Sequence, residues 1–336
     1  MPQEMTLPIF VPSIKTFLFH AYPLAVMENH PDFESWFYTN YIQLYYQIGS
    51  PHKLNFYGLN LIHGVWDYYP LLDVERMSQE MLRVMRADIV ELARWIIQSE
   101  GYVNVFLDEY YTEHRLAFRT EHRTHDFLLY GYDDSQQHFL TVGFDENHRY
   151  TSTHIPYKAL QNAFASVTEK RSMVILRVNK EKRFALDFEN IQEMVSDYLQ
   201  SADTSKRFKM YGNAKPDMVY GLAVYREMQA YVDQIEKGED FMDIRAFTLL
   251  YEHKTVMAKR IRYLLKERAL ECSGDILGKF DEIAERAAHI KNLMLKHSMT
   301  KQPQGLATVQ MHLLAMREDE ERALCAVFHE TGIDKF

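Results

Sequence analysis

The chain has 336 residues, 47% of them hydrophobic and 25% charged, with a formal net charge of -9. That is enough apolar material for one large unit or two ordinary domains, and with only 13 Gly and 10 Pro it excludes collagen-like, low-complexity and disordered classes. The two cysteines, Cys272 and Cys325, exclude a disulfide framework or a thiolate zinc cluster and suit a reducing compartment. With no basic-then-apolar leader and no stretch near the roughly 18 uncharged residues a membrane span needs, a soluble cytoplasmic protein is expected, without a membrane partner. The acidic balance likewise argues against a nucleic-acid partner.

Residues 1 to 20 alternate proline with apolar residues (Pro2, Leu7, Pro8, Phe10, Val11, Pro12) and read as extended chain. Leu24 to Met27 follow Pro23, which suits a first helical turn, so a short helix is expected from there to about Asn29. The aromatic run ESWFYTNYIQLYYQI reads as core and pocket wall, with Trp36, Tyr41, Tyr45 and Tyr46 among its rings. Between Val74 and Gln98 apolar residues recur at threes and fours (Met77, Met81, Met85, Ile89, Leu92, Ile96), which predicts one amphipathic helix. Gly101 closes it, and YVNVFLD, HDFLLYGYD, HFLTVGFD and SMVILRV then predict a small antiparallel sheet, with a short helix over Ile155 to Phe164. Beyond Lys182 the strand signal stops. Helical periodicity covers 188–199, 216–235, 244–271, 278–297 and 307–329. The expected fold class is α+β, in two parts, 1–180 and a helical 181–336.

Six of the fifteen histidines, His114, His122, His125, His138, His148 and His154, fall in one window on or around that sheet. His125 opens one predicted strand and Asp145 ends the next. A hairpin would set them side by side as the base and orienting acid of a nucleophilic triad. Other readings stay open: a hydrogen-bonded histidine at a strand end, an ordinary turn aspartate, or His122-x-x-His125 as metal ligands, for which no third ligand stands out.

The string LDEYYTEHRLAFRTEHRTHDFLLYGYD, with FDEN after the next strand, TNYIQL at Thr39 to Leu44 and DIRAFTLLYEHKTVMAKRIRYL at 243–264, resembles the papain-fold acyltransferases of antibiotic biosynthesis. That is the group of the butirosin biosynthesis protein H, with the closthioamide amide synthase as a related case. The resemblance implies a papain-like cysteine-peptidase fold, N-terminal helices plus a small antiparallel sheet, with a C-terminal helical region shaping the substrate entrance. It implies acyl or aminoacyl transfer from a carrier-protein thioester to an amine through a Cys-His-Asp triad, with His125 and Asp145 as its base and acid. The implied partners are an acidic acyl or peptidyl carrier protein and a small-molecule amine acceptor. Phosphopantetheine would arrive on the carrier, so no resident cofactor or metal is expected; the oligomeric state is left open, a homodimer included.

The sequence departs from that pattern at the nucleophile, because no cysteine precedes Cys272. The family's cysteine stands at a helix start, where free amides stabilise a thiolate and an oxyanion. In FLFHAYPLAVM the matching position is Ala21. Two accounts fit: a Cys-to-Ala substitution in an enzyme, or a natural pseudoenzyme that binds a carrier or intermediate as a scaffold. The first is preferred because His125 and Asp145 persist. A thioester or amide hydrolase is the alternative within the same machinery. Tyr22, Asn40, Gln43, Tyr111, His122 and Tyr132 are the candidate substrate-binding residues, with Asn40 or Gln43 reaching the oxyanion. Lys254, Lys259, Arg260, Arg262, Lys266 and Arg268 suggest a basic docking face or, equally, a solvated helix face with internal partners.

Overall fold

Alternating apolar residues make the middle of the chain a sheet, and long amphipathic helices make most of the rest. The computed structural model describes residues 2–57, 69–206, 217–267, 270 and 275–329; Cys272 and Arg268 lie outside them. The first half runs β1 (Glu4–Thr6), α1 (Leu18–Met27), α2 (Phe33–Thr39), β2 (Leu44–Gln47), β3 (Leu54–Phe56), β4 (Leu72–Ser78), α3 (Gln79–Val84), α4 (Ile89–Gln98), β5 (Tyr102–Asp108), β6 (Thr124–Asp133), β7 (His138–Phe144), β8 (Tyr150–Pro156) and α5 (Tyr157–Ser166). The second half runs β9 (Ser172–Val178), α6 (Phe188–Leu199), β10 (Met218–Tyr220), α7 (Val224–Lys237), α8 (Ile244–Lys266), α9 (Ile276–Thr300) and α10 (Leu306–His329). No helix among the described residues is long and apolar enough to cross a membrane.

The chain is α+β and divides into two compact units, Met1–Phe33 with Trp66–Phe184, and Glu34–Val65 with Ala185–Phe336. The partition differs from 1–180 and 181–336 in one segment, because residues 34–65 cluster with the helices. The physical reason is pairing: β2 ladders with β3 on one side and with β10 on the other, Tyr46 opposite Val219. β10 is itself a correction, since no strand was expected beyond residue 182.

In the first unit the sheet is antiparallel and seven-stranded, in the order β4-β9-β5-β6-β7-β8, with β1 pairing to the end of β6. Val103, Val105 and Leu107 of β5 and Phe127 and Leu129 of β6 are fully buried. α1 packs on β9, and α5 packs on β5 and β8. α1 is apolar nearly all round, which is why it is buried along its length.

The helix expected over Val74 to Gln98 is instead a strand and two helices. Ser78 caps α3 by accepting from the Met81 amide, and Asp88 caps α4 by accepting from the Val90 and Glu91 amides. Met81 and Met85, counted as core positions of one helix, are 57% and 71% exposed. α1 also starts earlier than its proline suggests: Phe17 is its N-cap residue, and Pro23 sits at the sixth helical position.

Candidate functional site

The end of β5 and the start of β6 carry two histidine-carboxylate pairs. Leu107 stands opposite His125 and Asp108 opposite Thr124, so strand alternation sends the side chains of positions 125 and 108 to opposite faces. On one face, His125 Nδ1 lies 2.9 Å from the Asp126 carboxylate, which favours the Nδ1–H tautomer and leaves Nε2 as the basic nitrogen. Burial alone would lower the pKa of His125; the hydrogen bond and charge of Asp126, with the field of Glu109, outweigh it and raise it.

Asp145 is not the carboxylate at His125. Its Oδ1 accepts from the amides of Asn147 (2.9 Å) and Arg149 (2.8 Å), closing the turn between β7 and β8. Those bonds, the Arg149 amide first, hold its carboxyl below the usual range. The β6-β7 register, continued from Leu128 opposite Val142, would have set His125 across from Asp145, but the ladder ends at that pair. Beyond it the strands bond elsewhere: the Asp126 carbonyl accepts from the Tyr22 hydroxyl at 3.2 Å, and the Phe144 carbonyl accepts from the Arg115 guanidinium. Gly143 makes this possible, because a Cβ there would lie 2.8 Å from Arg115 Nη1 and 3.1 Å from the Tyr22 oxygen.

Tyr22 is fully buried, and desolvation, with Asp126 adding to it, raises its phenol well above the ordinary range. Arg115 lies over the Phe127 ring, 4.3 Å from its centroid. Its Nη2 and the Tyr150 hydroxyl are buried without a protein hydrogen-bond partner. Ala21, one residue before Tyr22, is fully buried in α1, and its amide already bonds the Phe17 carbonyl at 3.0 Å. A free helix-start amide at position 21 is therefore not available as an oxyanion donor.

On the other face, His122 Nδ1 lies 2.6 Å from Asp108, a nearly buried carboxylate that also accepts from Ser166 (2.6 Å) and from the Tyr110 and Arg123 amides. Burial would raise the pKa of Asp108; the donors, Ser166 foremost, outweigh it and lower it. His122 stacks on Tyr110 at 4.3 Å. Tyr110 and Tyr111 in turn line a cavity of about 300 Å³ with Glu113, Phe118, Arg119, Pro156, Ala159 and Asn162. The pairs explain why His122 and His125 do not converge on a metal: each is turned to its own aspartate.

The remaining candidates serve the fold. Tyr132 is in the core, donating to the Pro2 carbonyl and accepting from Gln98. Asn40 and Gln43 belong to the second unit. Asn40 donates to the Trp36 carbonyl, and Gln43 donates to Ala202 and Thr204. In that unit the six cations expected around α8 are not all at the surface. Lys254 and Arg260 are fully buried, Arg262 pairs with Asp281 and Lys266 with Glu267.

Sequence reasoning missed Asp126, Asp108 and Arg115. Asp126 was visible as the neighbour of His125, and Asp108 as the residue capping the turn Glu109–Tyr111. Arg115 left no signal, since its role depends on two strands parting. No family model matches the chain, and no curated protein matches it.

Proposed function

We propose that the first unit is a papain-like acyl-transfer site, with His125 as base, Asp126 as its orienting acid and position 21 as the place of the nucleophile. Its reaction is transfer of an acyl or aminoacyl group from a carrier-protein thioester to a small-molecule amine. The observation that carries this reading is the bond from Tyr22 to the Asp126 carbonyl, which brings α1 against the His125 end of β6 one residue after each key position. Tethered there, a thiol at 21 is on an element adjacent to the base, as nucleophilic catalysis requires.

With cysteine at 21, His125 Nε2 takes the thiol proton and the thiolate attacks the thioester carbonyl. The carbon-sulfur bond to the carrier breaks, and the imidazolium returns the proton to the departing thiol. The amine then attacks the acyl-enzyme, His125 receives its proton, and the cysteine leaves as a thiol with that proton. Water in place of the amine gives hydrolysis. Ala21 itself favours a second reading, a binding protein that holds the acylated carrier without turnover.

The test is Ala21→Cys incubated with an acyl-pantetheine thioester, followed by intact-protein mass. The expected result is an acyl adduct that His125→Ala abolishes and a primary amine clears faster than water does. Asp126→Asn should slow acylation by about 10²-fold or more while Asp145→Asn leaves it nearly unchanged. An Ala21→Cys protein that stays unmodified would defeat the proposal.

A further inference from the structure

Two of the six clustered histidines are absorbed by the pairs described above. Three of the others meet at a second place on the same unit. His114 lies in the turn after Tyr111 with a left-handed backbone (φ 61°). His154 projects from β8 and His138 from the neighbouring β7, where His138 pairs with Pro156 and Leu140 with His154. The His114 and His154 rings are 5.5 Å apart and steeply inclined at 68°; the His138 and His154 rings are 5.3 Å apart.

Carboxylates complete the group. One ligand atom each from Glu113, His114 and His154 lies within 4.8 Å of the others, and Glu146 stands 3.8 Å from His114 Nδ1. A metal held at about 2.0–2.2 Å from imidazole nitrogen and carboxylate oxygen needs its donors roughly 3–4 Å apart. Metal binding would close the remaining distance by turning these side chains, all three of which are exposed.

We propose that Glu113, His114 and His154 form a binding site for a borderline divalent transition metal of the zinc class, with His138 beside it. Two imidazoles and one carboxylate suit Zn²⁺, Co²⁺, Ni²⁺ or Cu²⁺ over Mg²⁺ or Ca²⁺, which prefer all-oxygen sets. Three protein ligands leave a coordination position open, as in sites that also bind a small molecule. Glu113 also lines the 300 Å³ cavity, whose Arg119 makes no ion pair among the described residues. Glu113 thus links the proposed metal to a pocket with aromatic walls and a cation, which fits an anionic small molecule as the further ligand. The site uses none of the residues assigned to acyl transfer, and the two proposals stand or fall separately.

The experiment uses the full chain stripped with a chelator, then titrated with Co²⁺ while visible absorption is recorded, and with Zn²⁺ by calorimetry. The expected result is one equivalent bound with roughly micromolar affinity, weakened about tenfold or more by His154→Ala and by Glu113→Gln, and unchanged by His148→Ala. Binding should also be lost in acid, because the imidazoles must be neutral to ligate. All three substituted positions are exposed, so circular dichroism should be the same for every variant. Undiminished binding in His154→Ala, binding lost in His148→Ala, or no one-equivalent binding by the unsubstituted chain overturns the proposal.

Discussion

Gly143 lets two side chains reach places where strand pairing would otherwise continue. With a Cβ there, the Arg115 guanidinium and the Tyr22 hydroxyl could not both keep their positions. Gly143→Ala should therefore destabilise the first unit by roughly 1–3 kcal/mol, the ordinary cost of overpacking, measured by urea unfolding. In an Ala21→Cys background it should also slow acylation, because Tyr22 ties α1 to the strand of His125. A neighbouring glycine, Gly131, would not report on this site, since its contacts are to Met5, Thr6 and Leu140.

Among the elements, α8 shows how far a sequence pattern carries. Its helical period was legible, and so were the strands β5, β6, β7 and β9, because each is a short apolar run bounded by turn residues, as in Met173 to Leu176 of β9, all buried. The charges on α8 misled, because a sequence does not say which cations are buried. Arg260 donates to the Tyr38, Asn40 and Tyr41 carbonyls, capping the negative end of α2, and burial pushes its pKa down to about 9. Arg262, on the same helix, is about half exposed and paired with Asp281. Arg260→Met should cost roughly 1–3 kcal/mol for each carbonyl left without a donor, whereas Arg262→Ala should cost under about 1 kcal/mol. Denaturant midpoints of the two variants make the comparison. The same limit hid the site's acid. The spacing of His125 and Asp145 was correct for a hairpin, but the ladder's early end depends on Arg115 and Tyr22, residues 10 and 103 positions away from His125 in the chain.

For the molecule as a whole, the buried ionisable groups set opposing responses to pH. In the second unit His253 donates from Nε2 to the Ile42 carbonyl and accepts at Nδ1 from Lys254, which also bonds Glu320 and Tyr198. Burial, then the charges of Lys254 and Arg260, push the pKa of His253 well below its ordinary value. Its contribution is therefore complete above about pH 6.5 and is lost as pH falls from there through the folded value, by about 1.4 kcal/mol per unit at most. Asp108, also lowered, acts in the same sense further into acid, below about pH 4. His125 is raised, so its contribution is present below about pH 6.5 and fades as pH rises through its folded value. Unfolding midpoints should thus fall between pH 7 and pH 5, and His253→Gln should flatten that slope.

The chain's path also sets an order of events during synthesis. β2 emerges early, yet its partner β10 follows so much later that Gln47 and its hydrogen-bond partner Asp217 are 170 residues apart. Meanwhile the residues of the first unit are all present once Phe184 has left the ribosome. The buried side chains of Trp36, Phe37, Ile42 and Leu44, which belong to the second unit, must then wait unpacked until the later helices emerge. Slow translation beyond residue 184 lengthens that exposure, so the window for misassembly is governed by elongation rate as well as by stability.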